Sequence, residues 1–183
     1  MLTVKTVTKQ LPDFSQVAAV YKNSFPAEEQ MPFWLMRLFA VRKRVDFLAF
    51  YDQEEFCGLT YLVHNEQLVF VFYLATAPNQ RSKGYGSQIL NWIQTNYPQQ
   101  GLVLTIETVD AAYADYTQRK RRQSFYFKNG LRDTGYRVKE FGVLYDVLTD
   151  DANFSFEAYQ KLLKDFSFGF YSIKPEKEGR AND

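Results

Sequence analysis

The sequence predicts an α+β fold, an α/β sandwich whose mostly antiparallel sheet is flanked by helices. Three observations lead there. Arg44 to Tyr51, Glu55 to His64 and Gln67 to Thr76 are β-rich segments separated only by Asp52-Gln53-Glu54 and Asn65-Glu66, turn-type residues that make them successive antiparallel strands. Tyr85, Ile89, Leu90, Ile93 and Tyr97 recur at helical spacing between Gly84 and Pro98. The chain has 183 residues, 46% of them hydrophobic, with 17 Phe, 13 Tyr and 2 Trp, enough apolar surface for one well-filled core.

The remaining elements follow in order. Met1 to Lys9 alternates apolar and polar positions and reads as a first strand. A helix follows, with Asp13 or Ser15 as N-cap and Val17, Ala18, Val20, Tyr21 and Phe25 on one stripe, until Pro26 stops it. A short second helix starts at Pro32, where the missing amide hydrogen is harmless, and carries Phe33, Trp34, Met36, Leu38 and Phe39. Leu68 to Ala75 shows no alternation, which predicts a central strand covered on both faces. Beyond Pro98, Leu102 to Thr108 is a strand and Arg119 to Lys128 a helix ended by Asn129-Gly130. Strands at Leu131 to Val138 and Phe141 to Leu148 come next. Ser155 then caps a last helix with Tyr159, Leu162, Leu163 and Phe166 on one face. The expected organisation is a single domain over 1–172, with a core at 1–150 and a C-terminal helix at about 155–167, before a polar, frayed tail at 173–183.

Composition removes several function classes. A formal charge of +1 provides no whole-molecule attraction to nucleic acid or to an anionic membrane. A single Cys57 forbids an intrachain disulfide, and with a single His64 it forbids Cys/His zinc sites, so no metal is expected. The opening residues lack the apolar core of a secretory leader, and the longest apolar run is far short of the ~18 residues that cross a bilayer. A cytoplasmic home and no membrane partner are the expectation. His64 lacks a serine or cysteine elbow, so a hydrolase triad is not expected, and Cys57 reads as a small buried residue.

The stretch that carries chemistry joins the central strand to the best helix: Leu74-Ala75-Thr76, Pro78, then Arg81-Ser82-Lys83-Gly84-Tyr85-Gly86-Ser87. Two glycines let backbone approach a ligand, a helix N-terminus presents unpaired amides, and Arg81 and Lys83 add charge, which together suit a diphosphate. A Walker A loop would need Gly-Lys-Ser/Thr, and a dinucleotide fingerprint would need a small residue at Ile89, so both fail. A bare turn with solvated cations has the same residues.

Arg81-x-x-Gly84-x-Gly86 after a strand ending Leu-Ala-Thr is similar to the acyl-CoA signature of the GNAT superfamily of N-acetyltransferases. Ser124-Phe125-Tyr126-Phe127-Lys128-Asn129-Gly130-Leu131 resembles that family's late helix and turn, with Leu131 replacing the last aromatic. The element order extends the resemblance to about residue 150. It implies a mixed, GNAT-like sheet, acetyl-CoA as co-substrate, and transfer of its acetyl group to a primary amine of a small molecule or peptide by direct attack in a ternary complex.

It also implies roles. Leu74, Ala75 and Thr76 would bond the pantetheine arm, Arg81, Ser82, Lys83, Gly84, Tyr85, Gly86 and Ser87 would hold the diphosphate, and Tyr126 would protonate the departing thiolate. A phenol of pKa ~10 matches a thiol of pKa ~8.5 reasonably well. The alternative reading of Tyr126 is a core tyrosine with one hydrogen bond. Glu29, beside Glu28 in Phe25-Pro26-Ala27-Glu28-Glu29, lies where the family builds its acceptor site, and is a candidate base that also reads as a solvated residue. Glu107 is a second candidate carboxylate. Met31-Pro32-Phe33-Trp34 with Tyr136 and Tyr145 suggest an aromatic-lined acceptor pocket.

One departure stands out: Arg119 occupies the position of a family asparagine, after an apparent long loop at Asp110 to Gln118. Arg119-Lys120-Arg121-Arg122 is the strongest charge run. Without an accompanying base-stacking motif it reads as a solvated face, and nucleic acid is not expected as a partner. Two alternatives to the enzyme are a non-catalytic acyl-CoA-binding module and an RNA-binding protein using residues 119–132. The apolar segment Phe154 to Tyr171 must pack on its own domain or on a second subunit, which suggests a homodimer.

Overall fold

The computed structural model describes residues 2–140 and 142–176. The chain divides into two compact units, Met1–Asn65 with Val69–Pro98, and Glu66–Leu68 with the residues from Gln99 onward.

The first unit holds β1 (Thr3–Thr6), α1 (Phe14–Ser24), a 3-10 turn (Ala27–Glu29), α2 (Phe33–Phe39), β2 (Val45–Asp52), β3 (Glu55–His64), β4 (Leu68–Thr76), a 3-10 turn (Pro78–Gln80) and α3 (Tyr85–Asn96). Its strands are ordered β1-β2-β3-β4 and every pairing is antiparallel. The helical stripe of α1 buries Val17, Val20 and Tyr21, and that of α3 buries Ile89, Leu90 and Ile93. Asp13 occupies the N-cap position of α1 without a side-chain bond to the helix. Aromatic edges fill the core: Tyr21 meets Tyr73 at 5.0 Å, Phe33 meets Phe47 at 5.5 Å, and Phe47 meets Tyr61 at 5.4 Å, separations that add edge-to-face attraction to burial.

The expectation for β4 needs correction. Its first four residues are buried, but Phe72, Leu74 and Thr76 are half-exposed while Tyr73 and Ala75 stay buried. Alternation of side chains across a strand means that one face of its second half is open. An all-apolar run conceals this, because Phe72 and Leu74 are as hydrophobic as their buried neighbours.

The second unit holds β5 (Gly101–Glu107), α4 (Tyr116–Lys128), β6 (Arg132–Glu140), β7 (Val143–Thr149), α5 (Phe156–Phe166) and β8 (Pro175–Glu176), with the strands ordered β5-β7-β6-β8, again antiparallel throughout. Ser155 caps α5 by accepting from the Ala158 amide at 3.2 Å. The α5 stripe buries Phe156, Tyr159, Leu162, Leu163 and Phe166, and Tyr136 stacks on Phe156 at 4.7 Å. Thus α5 packs within its own unit, while Phe168 and Phe170 beyond it are exposed.

Two further differences concern boundaries. The helix expected from Arg119 begins at Tyr116, so the preceding loop is shorter than expected, and Pro175–Glu176 pairs with Arg137 and Val138 inside the segment read as a frayed tail. Residues 177–183 of that tail lie outside the described residues.

Candidate functional site

In the first unit, the 3-10 turn Pro78–Gln80 follows β4 and is itself followed by Arg81 in extended conformation, Ser82 at φ 62° and Gly84 at φ 84°. This reversal brings Tyr85 in as the first residue of α3. The first intrahelical bond runs from the Gln88 amide to the Gly84 carbonyl at 3.1 Å, so the amides of Tyr85, Gly86 and Ser87 precede the ladder and have no carbonyl within the helix to bond. Arg81, Ser82, Lys83 and Gly84 are exposed and Tyr85, Gly86 and Ser87 half-exposed, so the sequence-expected cradle residues are brought together at one helix N-terminus. A side chain built on Gly84 would meet no atom within 4 Å. The space over the loop is open.

Two supports of this loop lie outside the motif. Gln80 is 1% exposed, its Oε1 accepts from Lys83 Nζ at 3.0 Å, and its Nε2 has no partner among the described residues. A buried amide nitrogen without an acceptor is costly and suits an oxygen-rich guest. Tyr85 donates to Asp52 Oδ2 at 2.8 Å, which ties the start of α3 to the end of β2, and that carboxylate holds the phenol up to about 12. Neither Gln80 nor Asp52 stands out in the sequence, because their partners are set by the fold.

The β4 residues expected to contact a pantetheine arm are Leu74, Ala75 and Thr76, in register with Thr60, Leu59 and Gly58 of β3. Gly58 is required there. A Cβ at that position would lie 2.5 Å from the Ala75 carbonyl oxygen, 3.0 Å from Ile89 Cδ1 and 3.2 Å from Thr76 Cα. The close approach therefore fixes both the end of β4 and the root of α3.

Glu29 ends the 3-10 turn between α1 and α2 and is half-buried. Tyr73 on β4 donates its hydroxyl to the Glu29 carbonyl at 2.6 Å and accepts from the Met31 amide at 3.0 Å, while Tyr21 donates to the Met31 carbonyl at 2.9 Å. Burial, with Tyr73 adding to it, pushes the Tyr21 phenol well above its ordinary range, so it stays a donor at any ordinary pH. The loop carrying Glu29 is thus stapled to β4 by the Tyr73 hydroxyl and to α1 by that of Tyr21.

In the second unit, Tyr126 lies on the last turns of α4, half-buried, with its ring 5.1 Å from Phe125. Burial raises its pKa and the Arg122 guanidinium partly offsets that, so the phenol is protonated at neutral pH. Glu107 is not a free carboxylate: it ion-pairs with Arg122 and lies 3.8 Å from Arg119. Arg119, 8% exposed, also donates to Asp115 Oδ1 at 2.8 Å and to the Thr108 carbonyl at 3.1 Å, with Tyr113 under its guanidinium at 4.0 Å. Arg119 therefore fastens α4 to the end of β5. Tyr145 is buried, while Tyr136 stacks on Phe156 and stays exposed. Among the described residues no group of three or more His, Cys, Asp or Glu could hold a metal ion.

The acetyltransferase (GNAT) family model matches residues 14–120, more than half of the chain, and the chain belongs to that family. No curated protein matches the sequence closely. Similar solved structures include a GNAT-family chain from Bacteroides thetaiotaomicron, at 20% identity, covering 92% of this chain and 99% of that one with a TM-score of 0.74. An aminoglycoside 6'-N-acetyltransferase complexed with coenzyme A has 14% identity, covering 80% of this chain and 95% of that one with a TM-score of 0.63. A GNAT acetyltransferase from Elizabethkingia anophelis with acetyl-CoA bound has 15% identity, covering 81% and 96% with a TM-score of 0.56. At such identities the likeness is one of fold, and it agrees with the α+β class expected from the sequence.

Proposed function

We propose that the protein is an acetyl-CoA-dependent N-acetyltransferase that acetylates a primary amine of a small molecule or peptide. The observation that carries this reading is the start of α3: three amides ahead of the helical ladder, left-handed Ser82 and Gly84, exposed Arg81 and Lys83, and open space above. Backbone amides at a helix N-terminus bind phosphate oxygens, and the two cations add charge where a diphosphate would sit. Membership of the family and the ligand of the coenzyme A-bound neighbour support the same guest.

Acetyl-CoA supplies a thioester, an acyl group that a neutral amine attacks directly. The chain's residues bind, orient and move protons. In this reading the diphosphate rests on residues 81 to 87, and the open face at Leu74 and Thr76 accepts the pantetheine arm. A C–N bond forms as the C–S bond breaks, the amine loses a proton through Glu29 or water, and Tyr126 donates its proton to the leaving sulfur. A phenol held protonated by burial suits that last step.

For the acceptor, the exposed or half-buried Met31-Pro32-Phe33-Trp34 segment beside Glu29 supports an amine with apolar bulk, whose positive charge Glu29 would attract before deprotonation. The two units are proposed to work as one catalytic domain in a cytoplasmic enzyme. Among the described residues no helix is long and apolar enough to cross a membrane.

The test is release of free thiol from acetyl-CoA with a panel of primary amines, followed spectroscopically. Tyr126→Phe is expected to lower kcat by about 10²-fold, within the range of general acid catalysis, with acetyl-CoA affinity unchanged. Binding of acetyl-CoA without turnover of any amine would favour a non-catalytic acyl-CoA-binding module.

A further inference from the structure

We propose that the solvent face of α4 is a docking surface for single-stranded nucleic acid. The charge run that looked uniform in the sequence is split by the fold. Arg119 and Arg122 turn to Asp115 and Glu107, whereas Lys120 and Arg121 are exposed and make no ion pair among the described residues. Lys128, two turns further along the same face, is also exposed and unpaired among them.

None of the 13 residues of α4 is acidic. Cations in the first turns of a helix oppose its dipole, whose positive end lies there, and self-repulsion along the run adds to that. Glu107 and Asp115 relieve this strain for two cations only. The other two are left for an anion from outside.

The shape of the surface says which anion. Tyr116, Thr117, Lys120, Arg121, Ser124, Phe125 and Lys128 line an open groove of about 620 Å³. Its described lining holds three cations, the hydroxyls of Thr117, Ser124 and Tyr116, and the two half-buried rings of Tyr116 and Phe125, and no carboxylate. Successive residues at i, i+4 and i+8 place Lys120, Ser124 and Lys128 in a row about 12 Å long, from a rise of 1.5 Å per residue. A row of phosphate-binding groups beside ring faces is the arrangement that holds unpaired nucleotides, with charge tracking the backbone and aromatics stacking on bases. Lys120 Nζ lies 5.7 Å from the Tyr116 ring and Phe125 packs on Tyr126 at 5.1 Å, so each ring is held in place with part of its surface open to a base, a surface that an acidic peptide would not use. In the sequence the rings do not stand out, because Tyr116 precedes the charge run and Phe125 belongs to the motif around Tyr126.

The test is fluorescence anisotropy of the full chain with a labelled oligouridylate of about 12 nucleotides, titrated over a range of salt. Binding is expected to weaken with salt. The triple variant Lys120→Gln, Arg121→Gln, Lys128→Gln should lose at least tenfold in affinity near 50 mM salt and flatten the slope of log K against log salt by about 2, at about 0.7 per phosphate contact. Tyr116→Leu should weaken binding several-fold and leave that slope unchanged. Circular dichroism of both variants should match the parent, because the three altered cations are exposed and leucine keeps apolar bulk at half-buried Tyr116. Three results would overturn the proposal: no oligonucleotide binding at low salt, displacement of the oligonucleotide by polyglutamate at equal charge concentration, or parent-like affinity in the triple variant. Loss of acetyl-CoA binding in the triple variant would likewise overturn it, by assigning this face to the nucleotide end of the co-substrate.

Discussion

Gly58→Ala isolates the packing that holds the end of β4 in place. Gly58 does not have a positive φ, so the substitution carries no backbone strain and its cost is steric. The added carbon would sit 2.5 Å from the Ala75 carbonyl oxygen and 3.2 Å from Thr76 Cα, both backbone atoms of the neighbouring strand, and 3.0 Å from Ile89 Cδ1. Only the Ile89 contact can be relieved by a side-chain rotation. Overpacking of this kind costs about 1–3 kcal/mol, while reduced freedom of the unfolded chain returns about 0.4–1 kcal/mol. At the middle of these ranges the net is about 1.3 kcal/mol, which corresponds to a Tm lowered by about 3–5 °C for a chain of this size. Because β4 must yield, acetyl-CoA affinity should fall as well, by several-fold on the proposed use of the strand. Thermal unfolding by circular dichroism and calorimetric titration read the two effects. A variant with the parent's Tm within about 1 °C would refute the packing argument, since no flexible group other than Ile89 could absorb the clash.

Other expectations follow from single observations. Ser82 at φ 62° should tolerate glycine but not a β-branched residue, so Ser82→Val should lower the Tm and Ser82→Gly leave it nearly unchanged, as read by thermal unfolding. Glu107→Gln strips both Arg119 and Arg122 of a partner; with Asp115 still holding Arg119 and Arg122 partly exposed, the loss should be about 1–3 kcal/mol in urea unfolding, short of a fully buried pair. Burial raises the Asp46 pKa, but hydrogen bonds from His64 and Tyr97 outweigh it and hold the carboxyl below its ordinary value. A depressed folded-state pKa means stability that is present above the unfolded value and is lost as pH falls through the folded one. Unfolding midpoints should therefore drop below about pH 4, and Asp46→Asn should flatten that part of the pH profile.

Much of the fold was legible because its helices keep strict periodicity and its strands are punctuated. Ser155 with the stripe Tyr159, Leu162, Leu163 and Phe166 announced α5, and Gly84 and Pro98 bracketed α3. Tyr116 to Gln118 hid the start of α4, because three polar or amphipathic residues carry no apolar period, and the Asp115–Arg119 pair that spans them is set by the fold. The glycine loop of the candidate site was readable from local spacing alone. Gln80, Asp52, Gly58 and the tyrosine staples from Tyr21 and Tyr73 were not, since each acts through a residue distant in sequence. The sequence does not show that Glu107 is engaged, because Arg119 and Arg122 reach it from a different element. Pro175–Glu176 is invisible in the sequence because two residues paired to β6 leave no pattern to read.

The most direct test of the proposed co-substrate site is calorimetric titration of acetyl-CoA into the parent chain and into Gly86→Trp, whose indole would occupy the start of α3. Micromolar affinity, about −8 kcal/mol, is expected for the parent, with the heat abolished in the variant while its circular dichroism is retained. No heat with the parent at millimolar acetyl-CoA, or equal binding by Gly86→Trp, would contradict the placement of the diphosphate on the α3 amides.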